Sequence, residues 1–114
     1  MKLKDKDCKM YTEGTPPMEK EKLDILSQQI SNNWKILEGK SLLREFEFNN
    51  FIDGIHFVDD LARAAEEKNH HPDIDIRYNK ITTKLSTHTV GGLTENDFIM
   101  AAKIDELINS TNKN

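Results

Sequence analysis

The stretch 73–88, Asp-Ile-Asp-Ile-Arg-Tyr-Asn-Lys-Ile-Thr-Thr-Lys-Leu-Ser-Thr-His, carries the clearest folding signal in the chain. Ile74, Ile76 and Tyr78 alternate with Asp73, Asp75 and Arg77. Past an Asn79-Lys80 turn, Ile81, Thr83, Leu85 and Thr87 alternate with Thr82, Lys84, Ser86 and His88. Successive strand side chains point to opposite faces, so two such runs joined by a short polar turn form a β-hairpin with one apolar face. A second hairpin lies upstream. Its parts are Trp34-Lys35-Ile36-Leu37, the turn Glu38-Gly39-Lys40, and a run in which Leu42, Arg44, Phe46 and Phe48 alternate with Leu43, Glu45 and Glu47.

Between the hairpins Asn50 can cap a helix. Phe51, Ile55, Val58, Ala62 and Ala65 then recur at helical spacing, with Phe57, Leu61 and Ala64 as apolar surplus beside them. Pro72 disfavours helical geometry in the residue before it, so this helix ends near Asn69. Downstream, Gly91-Gly92 breaks the strand pattern. Thr94-Glu95-Asn96-Asp97 resembles a capping box, with Asp for the usual Glu, and opens a final helix to about Ile108. At the other end, Thr15 before Pro16, followed by Glu19 and Glu21, marks a helix start with an apolar stripe of Leu23, Leu26 and Ile30. Ser31-Asn32-Asn33 stops it. Residues 1–15 interleave Lys and Asp without apolar period and read as a mobile tail before a single domain over 16–114. The order α-β-β-α-β-β-α joins its strand pairs by hairpins, not crossovers. It predicts an α+β fold, a four-stranded antiparallel sheet with three helices packed on one face.

A chain of 114 residues suits one domain. Its 16 Lys and Arg against 20 Asp and Glu give a net charge of −4, which argues against a nucleic-acid partner, since such domains carry a clustered basic face. No apolar run approaches the roughly 20 residues of a bilayer span. Met1–Met10 lacks the apolar stretch of a secretory signal, so the expected location is cytoplasmic. Cys8 is the only cysteine, which excludes an intramolecular disulfide or a multi-cysteine zinc site.

Chemistry centres on three of the four histidines: His70 and His71 after the long helix, and His88 at the end of the last strand. Imidazole titrates near neutrality and can accept or donate a proton without large tuning. His70 and His71 are neighbours in extended chain, so they point to opposite sides and serve different purposes. Taken alone, a histidine at a helix end is more often a complement to the helix dipole than a catalyst. Zinc is the rival reading, weakened because adjacent histidines rarely aim both rings at one ion. His88 alone would be an exposed rim residue, and His56 is structural. Gly91-Gly92 lacks the Lys-Ser/Thr of a phosphate loop.

Glu66, three residues, His70-His71-Pro72, five residues, Tyr78, nine residues, His88, eight residues and Asp97 form a spaced motif. It closely resembles the signature of the pterin-4a-carbinolamine dehydratases. Tyr78-Asn79-Lys80, Leu85-Ser86-Thr87-His88 and Gly92-Leu93-Thr94-Glu95-Asn96-Asp97 are similar to that family as well, and the resemblance covers roughly 18–108. The Thr89-Val90-Gly91-Gly92 loop and the Lys/Asp tail differ from animal members.

The resemblance implies a hydro-lyase that dehydrates 4a-hydroxytetrahydropterin to quinonoid dihydropterin, as in tetrahydrobiopterin recycling, with no cofactor and no metal. It implies His70 and His88 as the acid/base pair and His71 as the residue that positions the pterin. Asn69, Ser86, Thr87 and Thr89 would join the histidines around the substrate. Glu66 would orient His70, and Asp97 would orient His88 unless it is simply the helix cap. Some animal relatives are also dimerisation cofactors for a transcription factor, so a protein-binding module is the second reading, and action on a different pterin the third. The resemblance further implies a homotetramer, a dimer of dimers. An independent hint lies in the last helix, where Phe98, Ile99, Met100, Ala101, Ala102, Ile104, Leu107 and Ile108 surround nearly the whole circumference. A helix covering one sheet face needs a single stripe, so the surplus predicts a second chain as partner.

Overall fold

The structure, a computed structural model, describes residues 1–111; the last three residues of the expected 16–114 domain lie outside the described residues. A short 3-10 turn, Leu3–Asp5, precedes α1 (Lys20–Ser27), β1 (Lys35–Leu37) and β2 (Ser41–Glu47). Then come α2 (Phe51–Lys68), β3 (Asp73–Arg77), β4 (Lys80–Leu85) and α3 (Glu95–Thr111). The four strands are antiparallel in the order β1-β2-β4-β3, with the helices on one face. This is the expected α+β arrangement.

Both hairpins are tight. Between β1 and β2, Glu38 and Gly39 both take positive φ (53° and 69°), and the Lys40 amide donates to the Leu37 carbonyl at 2.9 Å. Two left-handed residues in succession match the twist of the flanking strands, and Gly39 adopts that geometry without steric cost. Between β3 and β4 the turn residues are Tyr78 and Asn79, one position earlier than the sequence suggests.

Register places Leu42 opposite Leu85, Arg44 opposite Thr83 and Phe46 opposite Ile81. All lie on the helix-covered face, and all but Arg44 are buried, beneath Phe57 and Leu61 of α2 and Phe98 and Ile104 of α3. Arg44 is accommodated by an acid across the core. Its Nη1 donates to Asp105 Oδ1 at 2.6 Å, the Trp34 indole donates to the same oxygen at 2.8 Å, and the Ser31 amide donates to Oδ2 at 2.8 Å. A charge on the inner face therefore has a partner and further hydrogen bonds, the condition under which a buried ion is tolerated.

Several expectations change. α1 begins at Lys20 rather than at Pro16, and Ile30 lies beyond its end. The buried face of α2 is Gly54, Phe57, Leu61, Ala64 and Ala65, whereas Phe51 is 47% exposed and Ala62 faces solvent. The supposed surplus is thus the core face. Gly54 explains the rotation: a Cβ there would sit 3.4 Å from Ile81 and Phe48 side-chain atoms, so the helix approaches the sheet along a residue with no hydrophobic signature.

The apolar girdle of α3 is covered within one chain. Phe98, Ile99, Met100, Ala101 and Ile104 are at most 1% exposed, because α1, α2 and the 3-10 turn all pack around this helix. The hint of a second chain drawn from α3 is thereby removed. The segment 1–15, expected as a mobile tail, instead lies along the domain: Leu3 is 5% exposed in the core cluster, and Lys4 pairs with Glu106 at 2.6 Å.

Candidate active site

Asn69 ends α2 in the left-handed conformation (φ 53°, ψ 41°), and its amide bonds back to the last helical turn. This is an αL helix stop, a place where Asn is well tolerated. Leaving the helix there aims the next two residues in opposite directions. His70 turns inward and is largely buried; His71 turns outward and is about half exposed.

Neither carboxylate meets the histidine expected for it: Asp97 meets His70 instead of His88, and Glu66 meets His71 instead of His70. His70 Nε2 lies 2.6 Å from Asp97 Oδ1, and His71 Nε2 lies 2.6 Å from Glu66 Oε2. Glu66 sits one helical turn before His70 in sequence, but the αL break at Asn69 takes His70 off the helix, so that turn-to-turn geometry is lost. Its pair with His71 is exposed on both sides, and such pairs contribute about 0–1 kcal/mol.

Asp97 is fully buried and serves two purposes. Its Oδ2 accepts the Thr94 amide at 2.9 Å, which completes the capping box, and also the Thr87 hydroxyl at 2.9 Å. The Thr94 hydroxyl is 2.8 Å from Thr87 Oγ1 and accepts the Asn96 amide at 3.3 Å. Donation therefore runs from the Asn96 amide through the Thr94 and Thr87 hydroxyls to Asp97. The other carboxylate oxygen faces His70. A buried acid held this way keeps one tautomer of its histidine, Nε2–H toward Asp97, and leaves Nδ1 with a lone pair. Asp97 thus caps α3 with one oxygen and, with the other, meets His70 rather than the expected His88.

His70, Asn69, Thr87 and Thr89 line one cavity of about 180 Å³. Thr87 is 8% exposed and its hydroxyl is engaged by Asp97 and Thr94, so it braces the site. His88 and Ser86 line a different, wider concavity of about 680 Å³ with Lys84, Lys40 and Gly91. The cause is strand alternation: Thr87 points into the core, so its neighbours point away. Within one chain the His70 and His88 rings are thus not brought into a shared cavity. The loop that carries His88 is compact, with the Thr87 amide donating to the Gly92 carbonyl at 2.9 Å and Gly91 at φ 74°.

Sequence reasoning missed the N-terminal side of the site. Cys8, Lys9, Met10 and Tyr11 line the His70 cavity, and Asn96 holds the Lys9 backbone. No periodicity marks that segment. Among the described residues no group of three or more His, Cys, Asp or Glu side chains is placed to hold a metal ion, and no helix is long and apolar enough to cross a membrane.

A small α+β domain with a carboxylate-held histidine at an open cavity is the frame the comparisons fill. Residues 16–107 match the family described as "Pterin 4 alpha carbinolamine dehydratase", and the chain belongs to that family. A Rickettsia bellii protein named "Putative pterin-4-alpha-carbinolamine dehydratase" is 40% identical over 94% of this chain and 95% of its own length. A protein of the same name from Nitrosospira multiformis is 42% identical over 92% of this chain and 91% of its own length. Among solved structures, a transcriptional coactivator/pterin dehydratase from Brucella melitensis superposes with a TM-score of 0.73 at 27% identity, covering 81% of this chain and 98% of that one. A pterin dehydratase-like protein described as a RuBisCO assembly factor of the alpha-carboxysome gives 0.58 at 27% identity, over 67% and 89%.

Proposed function

We propose that this chain removes water from 4a-hydroxytetrahydropterin to give quinonoid dihydropterin. The observation that carries this reading is His70, fixed by fully buried Asp97 and opening on a cavity beside Asn69 and Thr89. The reaction breaks the C4a–O bond and removes the N5 proton, forming the C4a=N5 double bond. The leaving hydroxide must be protonated and N5 must be deprotonated. With its tautomer set, His70 Nδ1 is suited to exchange a proton with the substrate, while Asp97 stabilises the imidazolium formed in between. His88, within the Thr87–Gly92 loop, is assigned as the second member of the acid/base pair from the neighbouring concavity, and His71 with Glu66 positions the pterin from the outer side. The step involves no redox change, and its two proton transfers are assigned to imidazoles.

The exposed apolar residues are assigned to self-association. Phe51, Ile52, Ile74, Ile76 and Tyr78 lie at the surface, the last three on or beside edge strand β3. An unpaired edge and an apolar patch favour assembly, here as a homotetramer. The alternative of a protein-binding role would use the same surface. The test is to mix purified protein with synthetic 4a-hydroxytetrahydropterin and follow quinonoid product by absorbance, with and without a chelator. Accelerated dehydration that survives chelation supports the proposal, and a rate equal to the uncatalysed one overturns it.

A further inference from the structure

The His70 cavity has two sides, and the chemistry above uses only one. Across from His70 and Asn69 stand Cys8, Lys9, Met10 and Tyr11, which precede the family-matched span of 16–107. They are held there by a two-way clamp. Asn96 Nδ2 donates to the Lys9 carbonyl at 2.7 Å, and the Lys9 amide donates back to Asn96 Oδ1 at 2.9 Å. Asn96 is 4% exposed, so breaking this exchange would strand buried polar groups. Two further ties flank it: Lys68 Nζ donates to the Lys6 carbonyl at 2.6 Å, and Leu3 is buried against α3.

Asn96 and Asp97 are consecutive in the first turn of α3. One side chain holds the segment and the next holds His70. The gap between wall and imidazole is therefore set by a single rigid turn, as substrate orientation near a reacting atom requires. The segment also brings groups that the histidines lack: an ammonium from Lys9 and an aromatic ring with a hydroxyl from Tyr11. A flat heteroaromatic ring with a carbonyl and amide-like nitrogens offers acceptors to the first and a stacking face to the second.

We propose that Lys9–Tyr11 form a substrate-contacting wall of the pterin site, and that Asn96 is the positioning residue that holds this wall against His70. This rests on the dehydratase reading. The test measures KM and kcat for 4a-hydroxytetrahydropterin, and the Kd of 7,8-dihydrobiopterin as a product-like probe, in the unmutated protein, Tyr11→Ala and Asn96→Ala. Loss of a binding contact that ground and transition states share raises KM and Kd by about tenfold and leaves kcat within about twofold. Tyr11→Ala touches no buried hydrogen bond in the clamp, so it keeps the test decisive should Asn96→Ala unsettle α3. Unchanged KM and Kd in Tyr11→Ala, in a parent that binds and turns over, overturn the wall alone. So does a fall in kcat at constant KM. A parent that neither binds the probe nor accelerates dehydration overturns the dehydratase reading and the wall with it.

Discussion

Asp97 separates what a residue's sequence neighbourhood announces from what only the fold supplies. Its place three residues after Thr94 marks a cap, and that is borne out by the bond from the Thr94 amide to Oδ2. Its other oxygen, Oδ1, accepts from His70 across 27 residues, and that bond depends on where Asn69 lets the chain leave α2. The opposed directions of His70 and His71 were legible in the extended geometry before Pro72. Which carboxylate each would meet was not, because helical spacing from Glu66 stops meaning anything past an αL residue. Asp97→Asn keeps an oxygen for the cap but presents an NH2 to His70, forcing the other tautomer. Turnover is expected to fall by about 10–100-fold, the range for lost second-layer partners, with thermal stability little changed. Equal turnover in the variant would detach Asp97 from the chemistry. Cys8 makes a second residue-scale prediction. Burial pushes its thiol up to about 11 from 9.0. Its folded pKa is raised, so the thiol favours the fold below pH 9 and loses that contribution as pH rises toward 11. Alkylation by iodoacetamide at pH 8 should be slow in the native protein and fast in denaturant, as quantified by mass spectrometry.

At the scale of elements, period-two alternation located β2 and β4 because a half-buried strand writes its two faces into consecutive residues; β3 carries the same alternation although all of its residues are exposed. α2 is harder: apolar residues occupy two neighbouring stripes, and one position of its buried face is Gly54, which has no side chain to count. The N-terminal segment left no pattern at all, since its docking rests on single side chains, Leu3 and Asn96, rather than on a repeat. Arg44 was visible as a charge on an apolar face, while its partner Asp105 lies 61 residues away. Asp105→Ala leaves Arg44 uncompensated and strips the Trp34 indole and the Ser31 amide of their acceptor. A loss of about 3–5 kcal/mol in urea unfolding is expected, the cost of orphaning one member of a buried pair. A loss under about 1 kcal/mol would show the network to be solvated. The tie between the 3-10 turn and α3 responds to acid. Lys103 and Lys4 hold the Glu106 carboxyl at about 2, below its ordinary 4.5. Its folded pKa is lowered, so the stabilisation is present above pH 4.5 and fades as pH falls toward 2, and solvent screening keeps it small.

For the whole molecule, the order α-β-β-α-β-β-α and its single-faced packing followed from hairpin grammar alone. Assembly did not, because the girdle of α3 that suggested a second chain is spent on the N-terminal turn, α1 and α2. The surface proposed for association is Phe51 and Ile52 of α2 with the β3 edge, although Ile25, Ile36 and Leu37 are exposed elsewhere. Phe51→Asp with Ile76→Lys should reduce the particle mass in sedimentation from a multiple of 13.2 kDa toward one chain, with unchanged circular dichroism. An unmutated protein already of monomer mass would contradict the proposed tetramer.

In the proposed dehydration an imidazole fixed by a buried carboxylate moves the proton. Stopped-flow measurement of dehydration by the unmutated protein, His70→Ala and His88→Ala tests it most directly. His70→Ala is expected to lose about 10²–10⁴-fold in kcat, the usual worth of a general acid–base group, and His88→Ala less, since among the described residues no carboxylate bonds the His88 ring. Full turnover in His70→Ala would remove His70 from the chemistry.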